Sequence, residues 1–214
     1  TVLTQLPLLT ADEEQYWIRH KKEVAAILGA FRRSGGDLAE WEQFLDKYFG
    51  MKLGLSGLVV PEHIAGFDRI IVVPPGLTLN RAIQVCRSKF PVYTYRDDLD
   101  KDVTGNDRAA TDSPYAIRIR DRAEADGELK ELSAEVLRER GIAGQTLLER
   151  VIHELKYYDE TGKHLDLLNW TLCSGSRVSG GCVPCVYWSD GRLFVDWYFP
   201  RDASSGLRAR EVVS

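Results

Sequence analysis

The last fifty residues constrain this chain most. Up to about residue 161 the sequence carries amphipathic helical stretches; from Leu165 to Ser214 they stop. Short apolar pairs then alternate with Gly, Ser, Asp and Pro, the mark of short strands joined by tight turns. In one such strand Leu193, Val195 and Trp197 point one way, and Phe194, Asp196 and Tyr198 the other, because successive side chains of a strand alternate between faces. Arg208 to Val213 reads as a closing strand. Helices in front and strands behind predict an α+β fold with a helical N-terminal part and a β-rich C-terminal region.

The helices announce themselves by caps and periodicity. Thr10 with Glu13 fits a capping box, and Tyr16, Trp17, Val24, Ile27, Leu28 and Phe31 follow at helical spacing until Ser34-Gly35-Gly36. Asp37 opens a second helix with Leu38, Trp41, Phe44, Leu45 and Tyr48 on one face, ending at Gly50. Phe67–Val73 reads as a strand closed by Pro74-Pro75-Gly76. Thr78 caps a helix to about Lys89, and Pro91–Tyr95 reads as a strand. Residues 96–114 read as a solvated acidic loop. Tyr115–Asp121 alternates as a half-buried strand, Ser133 caps a helix to Arg140, and a longer helix runs from Thr146 to Asp159, ending near Gly162. No internal repeat and no long linker appears. The expected organisation is a helical elaboration over 1–66 packed on a main domain over 67–214.

Several function classes are excluded at this level. Lys and Arg number 28 against 32 Asp and Glu, a net charge of -4. A general nucleic-acid binder needs a basic field instead. No apolar run approaches a membrane span, and no signal peptide is visible, so localisation stays open. The acidic stretch lacks the EF-hand frame, so no calcium is expected there. Cys182-Val183-Pro184-Cys185 is a C-x-x-C pair without the following helix of a redox site or the second pair of a zinc site. His20, His63, His153 and His164 are not spaced as ligands, and His153-Glu154 lacks the second His of a zincin. No nucleophile elbow or phosphate loop is present. No catalytic residue, metal site or cofactor is expected.

A compositional gap points to function. Across the 30 residues from Arg177 to Gly206 there is no Lys, Glu, Gln or Met. If an AAC codon is randomised at both adenines while its last base is fixed, the resulting codons omit those four residues and Trp. Val178, Gly180, Cys182, Cys185, Tyr187, Ser189, Gly191, Asp196, Tyr198, Phe199, Arg201, Asp202, Ala203, Ser204 and Gly206 all fall within that set. Trp188 and Trp197 do not, and are expected to be fixed framework.

With this gap, the stretches Asn106–Asp126 (NDRAATDSPYAIRIRDRAEAD), Thr146–Arg177 (TLLERVIHELKYYDETGKHLDLLNWTLCSGSR) and Leu207–Ser214 (LRAREVVS) resemble the variable proteins of diversity-generating retroelements, in particular those of small-genome bacteria, archaea and their viruses. The likeness covers at least Phe67–Ser214. It implies that a reverse transcriptase miscopies the adenines of a template repeat and that the copy replaces the 3′ end of the gene. It also implies a C-type-lectin-like domain whose variable region, about 177–206, forms one solvent-facing surface that binds a protein or other macromolecule without catalysis. The fifteen residues above are then the ligand-binding face. Tyr187, Tyr198 and Phe199 serve as aromatic anchors with Arg201 as charged partner, in keeping with the physics of paratopes. Inward packing is the second reading of Tyr198 and Phe199. Cys182 and Cys185 become incidental, so that replacing both by Ser leaves folding intact, and Cys173 is a buried small hydrophobe. Leu193 and Val195, with the two tryptophans, hold the face from behind. Two other readings stand beside this one. The first is a carbohydrate-binding lectin, although Trp188-Ser189-Asp190 only partly matches the calcium signature and no E-P-N or Q-P-D occurs. The second is a Cys-dependent enzyme of a formylglycine-generating type using Cys182 and Cys185. Oligomeric state and the ligand itself are not legible.

Overall fold

Side chains that satisfy the open amides of a first turn set where the helices begin. The computed structural model describes residues 37–214; the helix expected from Thr10 lies outside them. Thr78 Oγ1 accepts from the Arg81 amide and starts α2 (Leu79–Arg87), after α1 (Asp37–Phe49). Ser133 Oγ likewise starts α4 (Ala134–Glu139). Thr146 opens α5 (Leu147–Thr161) through a full capping box with Glu149, and Gly162, at φ +67°, closes it.

The acidic stretch folds where a plain loop was expected. It contains a one-turn helix, α3 (Leu99–Asp102), and a strand, β3 (Val103–Asn106). Two of its carboxylates are caps: Asp98 accepts from the Lys101 amide, and Asp100 accepts from the Leu79 amide at 2.7 Å, so it serves α2 from a distance.

The described residues form a mixed α+β structure with five α-helices and nine strands. Packing divides the chain after Trp41, and the larger unit is Glu42–Ser214. Residues 42–66 belong to that unit and are largely irregular beyond α1, which differs from a helical elaboration ending at 66. Their attachment has a physical cause. Leu55 is fully buried, its amide donates to Glu42, and Arg118 Nε donates to the Pro61 carbonyl at 2.8 Å.

Three strand groups organise the unit. β1 (Arg69–Val73) pairs antiparallel with β4 (Tyr115–Ile119), and Val213 bridges to Arg118 beside them. β3 pairs with β6 (Ser176–Val178). The largest sheet runs β2–β8–β7–β5–β9, with β2 Val92–Thr94, β5 Trp170–Leu172, β7 Val183–Ser189, β8 Arg192–Tyr198 and β9 Leu207–Arg208. β7 and β8 are joined by Asp190-Gly191 at φ +48° and +72°, the two left-handed residues that a two-residue hairpin needs.

The hairpin register assigns the two faces of this sheet. Pro184, Val186, Trp188, Leu193, Val195 and Trp197 share the inner face; Val186, Leu193 and Val195 are fully buried there. Trp188 stacks on His164, with ring centroids 3.3 Å apart. Leu193 and Val195 are buried behind the face, whereas the two tryptophans are only half-buried.

Candidate ligand-binding face

The opposite face carries the residues with binding character. Directly opposed residues of an antiparallel pair stand on one face. The pairs Val183–Tyr198, Cys185–Asp196 and Tyr187–Phe194 therefore lie together, with Leu172 beside Cys185 and Tyr93 beside Phe194. One part of this face is covered. Leu129, Ala134 and Leu137, from the segment around α4, pack on Leu172, Val183, Cys185 and Leu207.

The rest is an aromatic surface. Tyr93, Phe194, Tyr187, Trp170 and Tyr198 follow one another at centroid distances of 5.4, 5.1, 5.4 and 6.1 Å. Tyr187 and Phe194 are nearly parallel, at 4°. Trp170 and Tyr198 belong to β5 and β8, which β7 separates, yet their rings meet. Both lean inward over the Cys185 position, and together with the α4 segment they leave Cys185 fully buried. Such rings offer large contact area at small entropic cost.

Most of the predicted positions are accessible. Thirteen of the fifteen are exposed or half-buried, with the Tyr187 and Tyr198 rings also packing against the covered cluster. Tyr187, Asp196 and Tyr198 lie on the aromatic face, and Ser189 and Gly191 lie at the hairpin end. Phe199, Arg201, Asp202, Ala203, Ser204 and Gly206 continue from β8 into the loop leading to β9. This loop has internal structure: the Phe199 amide donates to Asp202, the Leu207 amide to the Ser204 carbonyl, and Arg201 pairs with Glu135 at 3.0 Å. Phe199 is 69% exposed, which removes inward packing as its role. Tyr198 combines both readings: its ring packs against the covered cluster while it remains half-exposed. Gly180 and Cys182 lie in the turn before β7, at the same end of the sheet as the 199–206 loop.

Val178 and Cys185 depart from the expectation. Val178 is buried where β6 pairs with Val103 of β3, and Cys185 lies under the aromatic rings. Neither side chain stands on the displayed surface. Burial pushes the Cys185 thiol well above its usual range, so no thiolate forms there. Replacing both cysteines is therefore not neutral. We expect Cys182→Ser to change stability by no more than about 0.5 kcal/mol. Cys185→Ser, which buries a hydroxyl, is expected to cost about 1–3 kcal/mol. Urea denaturation of the two single variants checks this, and equal midpoints would contradict it.

Three residues of the face are not among the fifteen sequence candidates: Trp170, Tyr93 and Phe194. Trp170 and Tyr93 lie outside the compositional gap. Phe194 lies inside it, and its place two residues from Asp196 was the available signal.

Burial first, and then Asp196, raise the Tyr187 hydroxyl above its usual range. The Tyr198 hydroxyl is pushed up to about 12, by burial first and then by anionic neighbours including Asp196 and Asp202. Both hydroxyls remain protonated donors at neutral pH. Among the described residues, no group of three His, Cys, Asp or Glu side chains is placed to hold a metal ion, and no helix is long and apolar enough to cross a membrane. Compared with known protein families, curated proteins and solved structures, the chain matches none of them.

Proposed function

We propose that this protein is a non-enzymatic binder of the diversity-generating-retroelement type. Its C-type-lectin-like domain presents a hypervariable face, centred on β7, β8 and the 199–206 loop, to a protein or other macromolecular target. One observation carries the reading. The stretch that lacks Lys, Glu, Gln and Met coincides with an aromatic sheet face and its adjoining loop, and thirteen of its fifteen candidate positions are accessible. A core segment would not be expected to avoid the long polar residues and yet stay accessible, whereas a surface diversified through one codon type would do both. The inner side of the same sheet supports the reading too: Val186, Leu193 and Val195 are buried independently of what the outer face displays.

The experiment is to sequence the gene with its flanks. The expected result is a near-copy of its 3′ end that differs almost only where the copy has adenines, next to a reverse-transcriptase gene. The differing codons should fall on the accessible positions and spare Trp188 and Trp197. A flank without such a repeat, or differences scattered over the inner face, would overturn the proposal.

A further inference from the structure

We infer that this face takes up an arginine side chain of its partner protein, with Asp196 as the charge that receives the guanidinium. The inference rests on the reading of the face as a binding surface and names the chemistry it selects. The geometry points to it in three ways.

The first is the outline of the rings. Phe194 and Tyr198 flank Asp196 along β8, each two residues away and therefore on its face. From Phe194 the contacts pass to Tyr187 on β7, to Trp170 on β5, and back to Tyr198. Trp170 and Tyr198 close over Cys185, so the short side chain left accessible between the rings of Phe194 and Tyr198 is Asp196.

The second is the state of the carboxylate. Asp196 is half-exposed, and its one hydrogen bond among the described residues is from the Trp197 amide to Oδ1, at 2.8 Å. The nearby cations are committed elsewhere or sit at the border: Arg201 pairs with Glu135, and Arg192 lies over the outer ring of Phe194. A carboxylate beside ring faces is complementary to a cation, which gains from the ring quadrupole and from the charge together.

The third is shape. A guanidinium is flat, weakly hydrated and able to lie along an aromatic ring while its N–H groups reach a carboxylate. An ammonium is a compact, strongly hydrated point charge. Aromatic rings on both sides of Asp196, Phe194 and Tyr198, favour the flat group.

The test uses the full-length protein and a random-sequence displayed peptide library as probe. Peptides selected on the protein are expected to share an arginine at a fixed position. Replacing that arginine by citrulline, which keeps the shape and removes the charge, is expected to weaken binding about tenfold or more. Asp196→Asn should do the same, and the double variant Tyr187→Ala/Tyr198→Ala should abolish capture. Unchanged melting temperatures of the variants establish that folding is intact; if the double variant melts early, Phe194→Ala replaces it. Selected peptides without arginine, with lysine in its place, or indifferent to citrulline would overturn the inference. If such peptides still depend on the rings, the binding-face reading stands. If no peptide is selected, or capture ignores the rings as well, both fall.

Discussion

Asp166→Ala is expected to lower stability by about 3–5 kcal/mol, because it leaves buried cations without their counter-charge. Asp166 is fully enclosed, and it binds two guanidiniums. Arg150 donates from Nε and Nη2 to Oδ2 at 3.1 and 2.8 Å, and Arg210 donates from Nη2 to Oδ1 at 2.6 Å. The Thr171 hydroxyl also donates to Oδ2. Glu154 holds the other side of Arg150 at 2.8 Å, so two cations and two carboxylates lie together with almost no exposure to solvent. Burial alone would raise the Asp166 carboxyl, but Arg210 and Arg150 outweigh it and hold it below the usual range. Without Asp166, Arg150 keeps Glu154 but Arg210 is left buried with no carboxylate partner. A domain of this kind is stable by only about 5–15 kcal/mol, so the loss removes a large part of the total. The measurement is urea denaturation of Asp166→Ala beside Asp196→Ala. The first should shift the midpoint strongly and the second slightly. Equal shifts would mean that the buried network is not what holds the sheet.

That contrast bears on function. The network ties α5, the 165–169 loop, β5 and the C-terminal segment together, and the Asp166 carbonyl also accepts from the Trp188 amide of β7. Arg210 in addition donates to the carbonyls of Arg122 and Ala123 at 2.9 Å. No member of the network lies among the fifteen candidate binding positions. Side chains on the outer face can therefore change while the polar bolts behind it stay in place. A surface meant to vary needs such a division, because each new set of residues inherits a fold that it did not help to stabilise.

How far this was legible in the sequence depends on the range of the interaction. Caps are local, so Thr78, Ser133 and Thr146 marked three helix starts correctly. Alternation is local too, and it separated Leu193, Val195 and Trp197 from Phe194, Asp196 and Tyr198, as the register bears out. What failed was everything decided by non-adjacent strands. The parallel pairing of β2 with β8, which brings Tyr93 to Phe194, leaves no trace in either segment. Cys185 met the codon criterion, but codons say nothing about rings closing over a site from β5 and β8. Nothing marked Arg210 within the expected closing strand, because its partner Asp166 lies forty-four positions away. The acidic stretch looked like loop because Asp100 serves a helix that begins 21 residues earlier.

His153→Leu is expected to make the protein less sensitive to acid. His153 lies on α5 at 0% exposure, and neither ring nitrogen has a hydrogen-bond partner among the described residues. Burial first, and then the positive charges of Arg210, Arg69 and Arg150, hold its pKa well below the ordinary 6.5. Above pH 6.5 the ring is neutral in both folded and unfolded chains and contributes no pH dependence. Below it the unfolded chain takes up a proton that the folded chain refuses, so stability falls by about 1.4 kcal/mol per pH unit from this residue alone, down to the folded pKa. Carboxylates add their own loss at lower pH, and the variant shares that loss. The informative quantity is thus the difference between the two proteins. In urea titrations from pH 8 to 5 it should stay level above about pH 6.5 and then widen in favour of the variant at about that slope. Removing two unpartnered buried nitrogens should also offset part of the packing lost on going to Leu, so the variant folds at pH 8. A difference that stays flat down to pH 5 would mean that the ring finds a partner for its proton inside the fold. Buried cations around an uncharged imidazole would then no longer account for the acid limit of this scaffold.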